Sequence, residues 1–376
     1  MADQSRPIFC PACHGEGASL SSQSESVQLS VTALTAEVAA LFADAGLSSA
    51  GAQRIAGALI EAEQQGLKSH GLMHAPVYLE RMRKGSVSTH DRAEMVSDHG
   101  AVAVLDARHM LGHLAAEQAM ALAIEKASRF GIGAVAVRHG FHFGAAGRYV
   151  AQAAQAGMVG IAMSNTRPLM PAPGGAEAVV GNNPIAIAIP TADEPMVVVD
   201  VAMSEGALGR IRHHHQRGEP IPGNWAVTAE GLPTTSAADA IKGLLLPTGG
   251  PKGFALAMAI DMACGLLSGG AVGSEINALY GDTSKPNDCA FLFLALNPQA
   301  FGADDLPQRA RAQREHIRKA RRAPNTAAIR TPGEMKWRTA ATQQETVQID
   351  RSTLTALRAC AIPIDTLAVS HGGERP

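Results

Sequence analysis

A chain of 376 residues with 46% hydrophobic and 18% charged residues has enough apolar material for one large or two medium folded domains, which excludes a wholly disordered chain. The formal net charge of −2 excludes the electrostatic footprint of a dedicated nucleic-acid binder, and 4% aromatic residues argue against a surface for stacking bases or sugars. Small-molecule partners are the expectation, and 38 Gly with 21 Pro foretell many tight turns.

Residues 1–26 are polar, rich in Ser and Gly and aperiodic, so a disordered extension is expected there. Cys10, Cys13 and His14 have C-x-x-C-H spacing, which fits haem attachment or the start of a zinc site, but neither an export signal nor a second ligand pair accompanies them, and no metal is expected. Five cysteines, an odd number, imply no disulfide framework. Without a basic-then-apolar leader or an uninterrupted apolar run long enough to span a bilayer, a cytoplasmic protein with no membrane partner is expected.

Apolar periodicity begins at Val27. Leu34, Val38, Leu41 and Phe42 share one helical face, and Ala52–Gln65 repeats the pattern with Ser48 or Ser49 as its cap. A third helix is predicted from His74 or Ala75 to just before Gly85, with Pro76 tolerated in its first turn. Residues 27–96 therefore read as a helical N-terminal region. Over residues 97–300 short β-like runs alternate with Ala-rich helices. The runs AVAVLDA, IGAVAVRH and VGIAMSN are separated by helices over Gly112–Phe130 and Gly144–Gln155. Strands at Ile185–Ile189 and Met196–Asp200, a helix over Lys252–Leu267 and a strand at Cys289–Leu296 complete a layered α/β domain. His213–His215 read as an exposed loop. Residues 301–376 read as a C-terminal helical segment, basic over Asp305–Arg322, with a tail packing back on the N-terminal region.

Four segments carry residue types with chemical use. Ser69 and His70 lie at a helix junction, where an imidazole that changes charge near neutral pH beside a hydroxyl makes a proton relay; a helix cap explains the same pair without chemistry. In His142-Phe143-Gly144-Ala145-Ala146-Gly147 the backbone amides of a helix start are free to receive phosphate or carboxylate oxygens, or the glycines serve only the chain reversal. His142 has no second metal ligand three or four residues on. Asn182-Asn183-Pro184 offers paired donors and acceptors, or an Asx turn. Leu246–Gly253 places Lys252 in a Gly-rich loop as a point charge for phosphate, without the spacing of a nucleotide-triphosphate loop. No G-x-G-x-x-G follows a strand, so a dinucleotide would be bound without the usual Rossmann fingerprint.

Taken in order, SHGLMHAPVYLERMRKG from Ser69, HFGAAGRY from His142, GNNPIAIAIP from Gly181 and LPTGGPKGFAL from Leu246 resemble the malate/L-lactate dehydrogenase family of the second type. That family includes ureidoglycolate and sulfolactate dehydrogenases, diketogulonate reductase and Δ1-piperideine-2-carboxylate reductase. The resemblance runs over about residues 28–300 and returns at Thr331-Pro332-Gly333-Glu334. It implies a non-Rossmann mixed α/β fold, a homodimer, and NAD- or NADP-dependent interconversion of a small 2-oxo acid and 2-hydroxy acid, or reduction of a cyclic 2-imino carboxylate. It further implies that His70 is the proton donor with Ser69 beside it. His142, Phe143, Gly144, Ala145, Asn182, Asn183, Pro184, Lys252, Pro332, Gly333 and Glu334 would line the cofactor site. The family's usual carboxylate-holding Arg is here His74, with Arg167 as a replacement partner, and Asp193 or Glu194 would assist His70. Met203 and Thr228 also depart from the pattern, which leaves a second reading, a dinucleotide-binding relative without turnover.

Overall fold

The computed structural model describes residues 26–361. Cys10, Cys13 and His14, with the rest of the chain before Ser26 and the tail after residue 361, lie outside the described residues.

Strand β1 (Ser26–Ser30) leads into helices α1 (Val31–Asp44), α2 (Ser49–Gln64) and α3 (Ala75–Arg83), so Ser26, the last residue of the segment expected to be disordered, is in a strand. Ser30 and Ser48 cap α1 and α2 by accepting the amides of Ala33 and Gly51, and Pro76 occupies the first turn of α3, where its missing N–H costs nothing. The faces of α1 and α2 that carry Leu34, Val38, Phe42, Ile55 and Leu59 are buried.

The central sheet follows. Strands β2 (Glu94–His99) and β3 (Val102–Asp106) precede α4 (Gly112–Phe130), β4 (Ile132–Gly140), α5 (Gly147–Gln155) and β5 (Val159–Ser164). A short pair, β6 (Met170–Pro171) and β7 (Ala178–Val180), comes before β8 (Ile185–Ile189) and β9 (Val197–Val201). Next come α6 (Leu208–Arg217), a second short pair made by β10 (Ala226–Val227) and β11 (Leu244–Leu245) around α7 (Ala237–Lys242), then α8 (Pro251–Ser268) and β12 (Cys289–Leu296). The chain closes with α9 (Leu306–Arg318), α10 (Glu334–Ala341), β13 (Thr346–Asp350) and α11 (Arg351–Ala359).

Seven strands form one mixed sheet in the order β2-β3-β4-β12-β5-β8-β9, in which only β3 and β4 run parallel. A sheet with a single parallel pair is not a Rossmann fold. Alternation along β4 sends Val135 and Val137 to the core shared with the N-terminal helices and Ala136 to a second core shared with α8 and the insert between β5 and α8. β13 pairs antiparallel with β1, with Ile349 opposite Val27.

Three expectations are corrected. The helix predicted from Gly144 starts at Gly147, because Gly144 adopts φ +75 in the preceding turn. His213–His215 lie within α6, anchored by the single buried side chain Ile211 and stopped by Gly218 in the left-handed region. The basic helix ends at Arg318 rather than Arg322. Helix α8 is long and apolar enough to cross a bilayer by length and composition, yet Ala257, Ile260 and Cys264 are buried in the second core.

Candidate active site

The segment between α2 and α3 is two short 3-10 turns, Lys68–His70 and Leu72–His74, joined at Gly71. Glu63, buried near the end of α2, fixes this corner by accepting the Leu72 amide at 2.8 Å. A Cβ at residue 71 would lie 2.2 Å from the Glu63 Oε1, so only glycine lets the carboxylate come this close. Burial pushes the Glu63 carboxyl up to about 7. On the turn, Ser69 Oγ is 2.9 Å from His70 Nδ1.

His74 is buried in the same turn, and both its ring nitrogens are committed. Nε2 donates to the Ser69 carbonyl at 2.7 Å, so Nδ1 is the acceptor for the Tyr280 hydroxyl at 2.6 Å. Burial and the neighbouring His70 bring its pKa down to about 4. This corrects the expectation that His74 stands in for a carboxylate-holding arginine: it is a neutral strut with no donor to spare.

His142 joins from the end of β4. Its ring lies 4.8 Å from that of His74 and stacks on His70 at 6.2 Å, and its Nδ1 is hydrogen-bonded to the Tyr78 hydroxyl of α3. His113, in the first turn of α4, completes the cluster 6.4 Å from His142, with its Nδ1 buried and without a partner among the described residues. It is admitted by two glycines: a Cβ at Gly112 would lie 1.8 Å from the Phe141 carbonyl, and one at Gly144 2.5 Å from His113 Nε2. Burial lowers all four imidazoles, His113 to about 3, while the Asp200 carboxylate pulls His70 the other way. Of the four, His70 is the one whose protonated form a carboxylate, Asp200, favours.

Asp200, near the end of β9, is the hub that the sequence did not single out. Its carboxylate accepts from Lys336 Nζ of α10 at 2.8 Å, and a Cβ at Gly147 would lie 2.9 Å from its Oδ2. The residues that follow it are stitched to the other motifs. Met203 donates its amide to Asn182 O at 2.8 Å, Thr248 donates to Met203 O at 2.9 Å, and Glu205 donates to Leu246 O at 2.8 Å. Just upstream, Val198 donates to Pro332 O at 3.2 Å. The His142 turn, the Asn182 turn, the Lys252 loop and the Pro332 turn therefore meet along one ledge beside His70.

Within that ledge the expected cofactor residues divide. Gly144, Ala145, Asn182, Pro184, Pro332 and Gly333 lie in its turns and Lys252 in the first turn of α8, where it makes no ion pair among the described residues. Phe143 is instead core, stacked on Phe291 at 4.8 Å. Asn183 is fully buried and uses both ends of its amide internally, on Thr166 N and Ala257 O. The Glu334 carboxylate is buried against Arg318, Arg338 and the Thr331 amide. These three side chains shape the ledge rather than face a ligand. Asp193 binds Arg314 and Arg311, and Glu194 accepts from the Trp337 indole, so neither assists His70, a correction in favour of Asp200. Arg167, half-buried after β5, has its guanidinium on the Pro168 carbonyl at 3.4 Å.

Tyr78, Tyr280 and His113 also went unread, since Tyr280 and His113 carry no motif and Tyr78 is indistinguishable from a core aromatic. Asp200 had one signal, an acid closing an apolar strand.

Residues 29–358 match the model of the malate/L-lactate dehydrogenase family. The chain is 34% identical over 292 residues to malate dehydrogenase of Pyrococcus abyssi, covering 75% of this chain and 80% of that protein. It is 34% identical over 329 residues to (2R)-3-sulfolactate dehydrogenase (NADP(+)) of Chromohalobacter salexigens, covering 87% and 96%. The solved structure of sulfolactate dehydrogenase from Methanocaldococcus jannaschii superposes with a TM-score of 0.83 at 30% identity, covering 89% of this chain and 96% of that one. The chain belongs to the malate/L-lactate dehydrogenase family, and with it to the NAD(P)-dependent dehydrogenases and reductases that act on CH–OH groups.

Proposed function

We propose that the protein interconverts a small 2-oxo acid and its 2-hydroxy acid, or reduces a cyclic 2-imino carboxylate, with His70 as the proton donor. The convergence of the four sequence blocks on the Asp200 ledge beside His70 carries this reading. The ledge fits a dinucleotide: among the described residues, Ser204 Oγ is buried on it without a hydrogen-bond partner and Lys252, at the start of α8, has no carboxylate to neutralise it. Asn182, Pro184, Lys252, Pro332 and the Gly144–Ala145 turn would hold NADPH or NADH, which when bound supplies the hydride.

The chain's own part is orientation and a proton. Ser69 holds His70 through Nδ1, so Nε2 is the atom left to protonate the reacting oxygen or nitrogen. Asp200 favours the protonated imidazole, and Lys336 moderates it. Arg167, unpaired with any carboxylate among the described residues, takes the substrate carboxylate in place of His74.

We further propose a cytoplasmic homodimer. Leu256, Met258, Met262, Leu266 and Leu267 leave one side of α8 between 46% and 63% exposed, a stripe suited to a second copy. The described cysteines, Cys264, Cys289 and Cys360, are free thiols, in keeping with a reducing compartment.

The test is nicotinamide absorbance with a panel of 2-oxo acids and cyclic imino acids, each with NADH and NADPH. Substrate-dependent oxidation is expected, and His70→Ala should lower kcat by about 10²–10⁴ with cofactor affinity retained. Near wild-type turnover in His70→Ala would remove His70 from the chemistry.

A further inference from the structure

We infer that Tyr280, on the loop between α8 and β12, is a positioning residue for the reaction: its hydroxyl anchors the ring of His74, and His74 in turn holds the Ser69 carbonyl and with it the Ser69–His70 turn. This rests on the reading that the turn is the reacting centre.

A neutral imidazole has one N–H and one bare nitrogen. The Ser69 carbonyl, 2.7 Å from His74 Nε2, only accepts, so Nε2 carries the hydrogen. That leaves Nδ1 bare inside the protein, where an unmet acceptor is costly. Tyr280 meets it at 2.6 Å, and because the bare nitrogen has nothing to donate, the phenol is the donor. Packing alone does not fix the ring. His74 stacks on Tyr78 at 5.7 Å with 7° between the planes, and its centre is 4.8 Å from that of His142. Those contacts hold the plane of the imidazole, yet they would tolerate the ring turned over, a rotation that puts carbons where the nitrogens were. Two hydrogen bonds, one at each nitrogen, forbid it. Ser69 then links the anchored ring to the reacting one: its carbonyl is taken by His74, while its Oγ is 2.9 Å from His70 Nδ1.

The loop is built to keep Tyr280 in place. Arg81, fully buried on α3, donates to Leu279 O at 3.0 and 2.9 Å, to Ala278 O at 2.8 Å and to Lys285 O at 2.7 Å, carbonyls on both sides of Tyr280. His74 is the N-cap of the same helix and Arg81 lies seven residues on, two turns away, so one face of α3 carries both the ring to be anchored and the clamp for its anchor. Ser86 Oγ adds a bond to Thr283 O at 2.6 Å, and the Asn277 amide closes the loop on Asn287 O at 3.0 Å. On its other side the Tyr280 ring has the Arg212 guanidinium carbon 5.8 Å from its centre. Tyr280 is 49% exposed, so burial of its ring does not account for the clamp. A phenylalanine would pack as well; the hydroxyl is the part that the arrangement uses.

The experiment is a double-mutant cycle with the substrate that the nicotinamide panel identifies. Tyr280→Phe should lower kcat roughly ten- to a hundred-fold, the rate equivalent of leaving a buried acceptor unmet, with KM and NADPH affinity held within about twofold. In a His74→Leu background the same substitution should cost nothing further, because the group it acts through is gone. His74→Gln, whose amide donates to Ser69 O and accepts from Tyr280, should keep more of kcat than His74→Leu. An unchanged kcat in Tyr280→Phe would overturn the inference, as would a rise in KM alone, which would put Tyr280 on the substrate, or additive losses, which would bypass His74. Nitrogen-15 NMR of the labelled histidines reads the anchor without turnover: in Tyr280→Phe the His74 Nδ1 resonance should move and the Nε2 proton should exchange faster with solvent. If His70 proves not to be the proton donor, those signals still report on Tyr280; their failure to change, with His70→Ala impaired as expected, would sink this inference alone.

Discussion

Glu63 and the histidines it underlies respond to pH in opposite senses. Glu63 has its pKa raised in the folded chain to about 7, so its contribution is full below the unfolded value of 4.5 and is lost as pH rises through 7. His74 and His113 have theirs depressed to about 4 and 3, so their contribution is lost as pH falls below 6.5. Between pH 4.5 and 6.5 the two trends oppose each other. Glu63→Gln keeps an acceptor for the Leu72 amide and removes the buried charge. It should therefore stabilise the protein at pH 8 by up to about 3 kcal/mol, at roughly 1.4 kcal/mol per pKa unit, and change little at pH 4.5. Thermal melts at the two pH values check this, and an equal shift at both would show that Glu63 is not ionised at pH 8. The same residue scale marks what the sequence hides. His74 was legible as a departure from an arginine, but its neutrality comes from Ser69 O, Tyr280 and burial, which no local pattern announces.

Among the elements, those with a long unbroken period were readable to the residue. Helix α4 and strand β12 have the predicted bounds because periods of 3.6 and 2 persist from end to end, with Gly131 terminating α4 in the left-handed region. Helix α6 was not, since a helix that buries only Ile211 leaves no apolar stripe to see. Strand β13 was missed because its partner, β1, lies far away in sequence, and α10 falls in a stretch read only as part of a C-terminal helical segment. Helix α10 matters to chemistry through Lys336. Because Asp200 raises the proton affinity of His70 and Lys336 lowers it, Asp200→Asn and Lys336→Met should move the pH limb of kcat/KM in opposite directions, downward for the first and upward for the second. pH–rate profiles of the two variants decide it; shifts of the same sign would mean that the ion pair only anchors α10.

At the scale of the whole molecule, a layered α/β domain was implied by the alternation of strands and helices, whereas its division into two cores and the ledge that gathers the motifs were not. The ledge is made by backbone bonds between segments far apart in sequence, such as Thr248 to Met203 and Val198 of β9 to Pro332. The exposed side of α8 sets the prediction at this scale. Leu266→Lys with Leu267→Lys should convert the proposed dimer to a monomer in sedimentation velocity, while cofactor binding to each chain persists. An unchanged sedimentation coefficient for a wild-type dimer would place the interface elsewhere.

The pairing of β1 with β13 joins Ser26 to Asp350, and Lys336 reaches Asp200 from nearly as late in the chain. A ribosome releases these partners more than a hundred residues after the segments they complete. The helices of the N-terminal region can form as they emerge, but β1 then waits, an unpaired edge, until β13 has been made. Turnover should accordingly appear only after β13 is free of the exit tunnel, so that the proton-handling corner near the start of the chain is completed by strands and side chains made long after it.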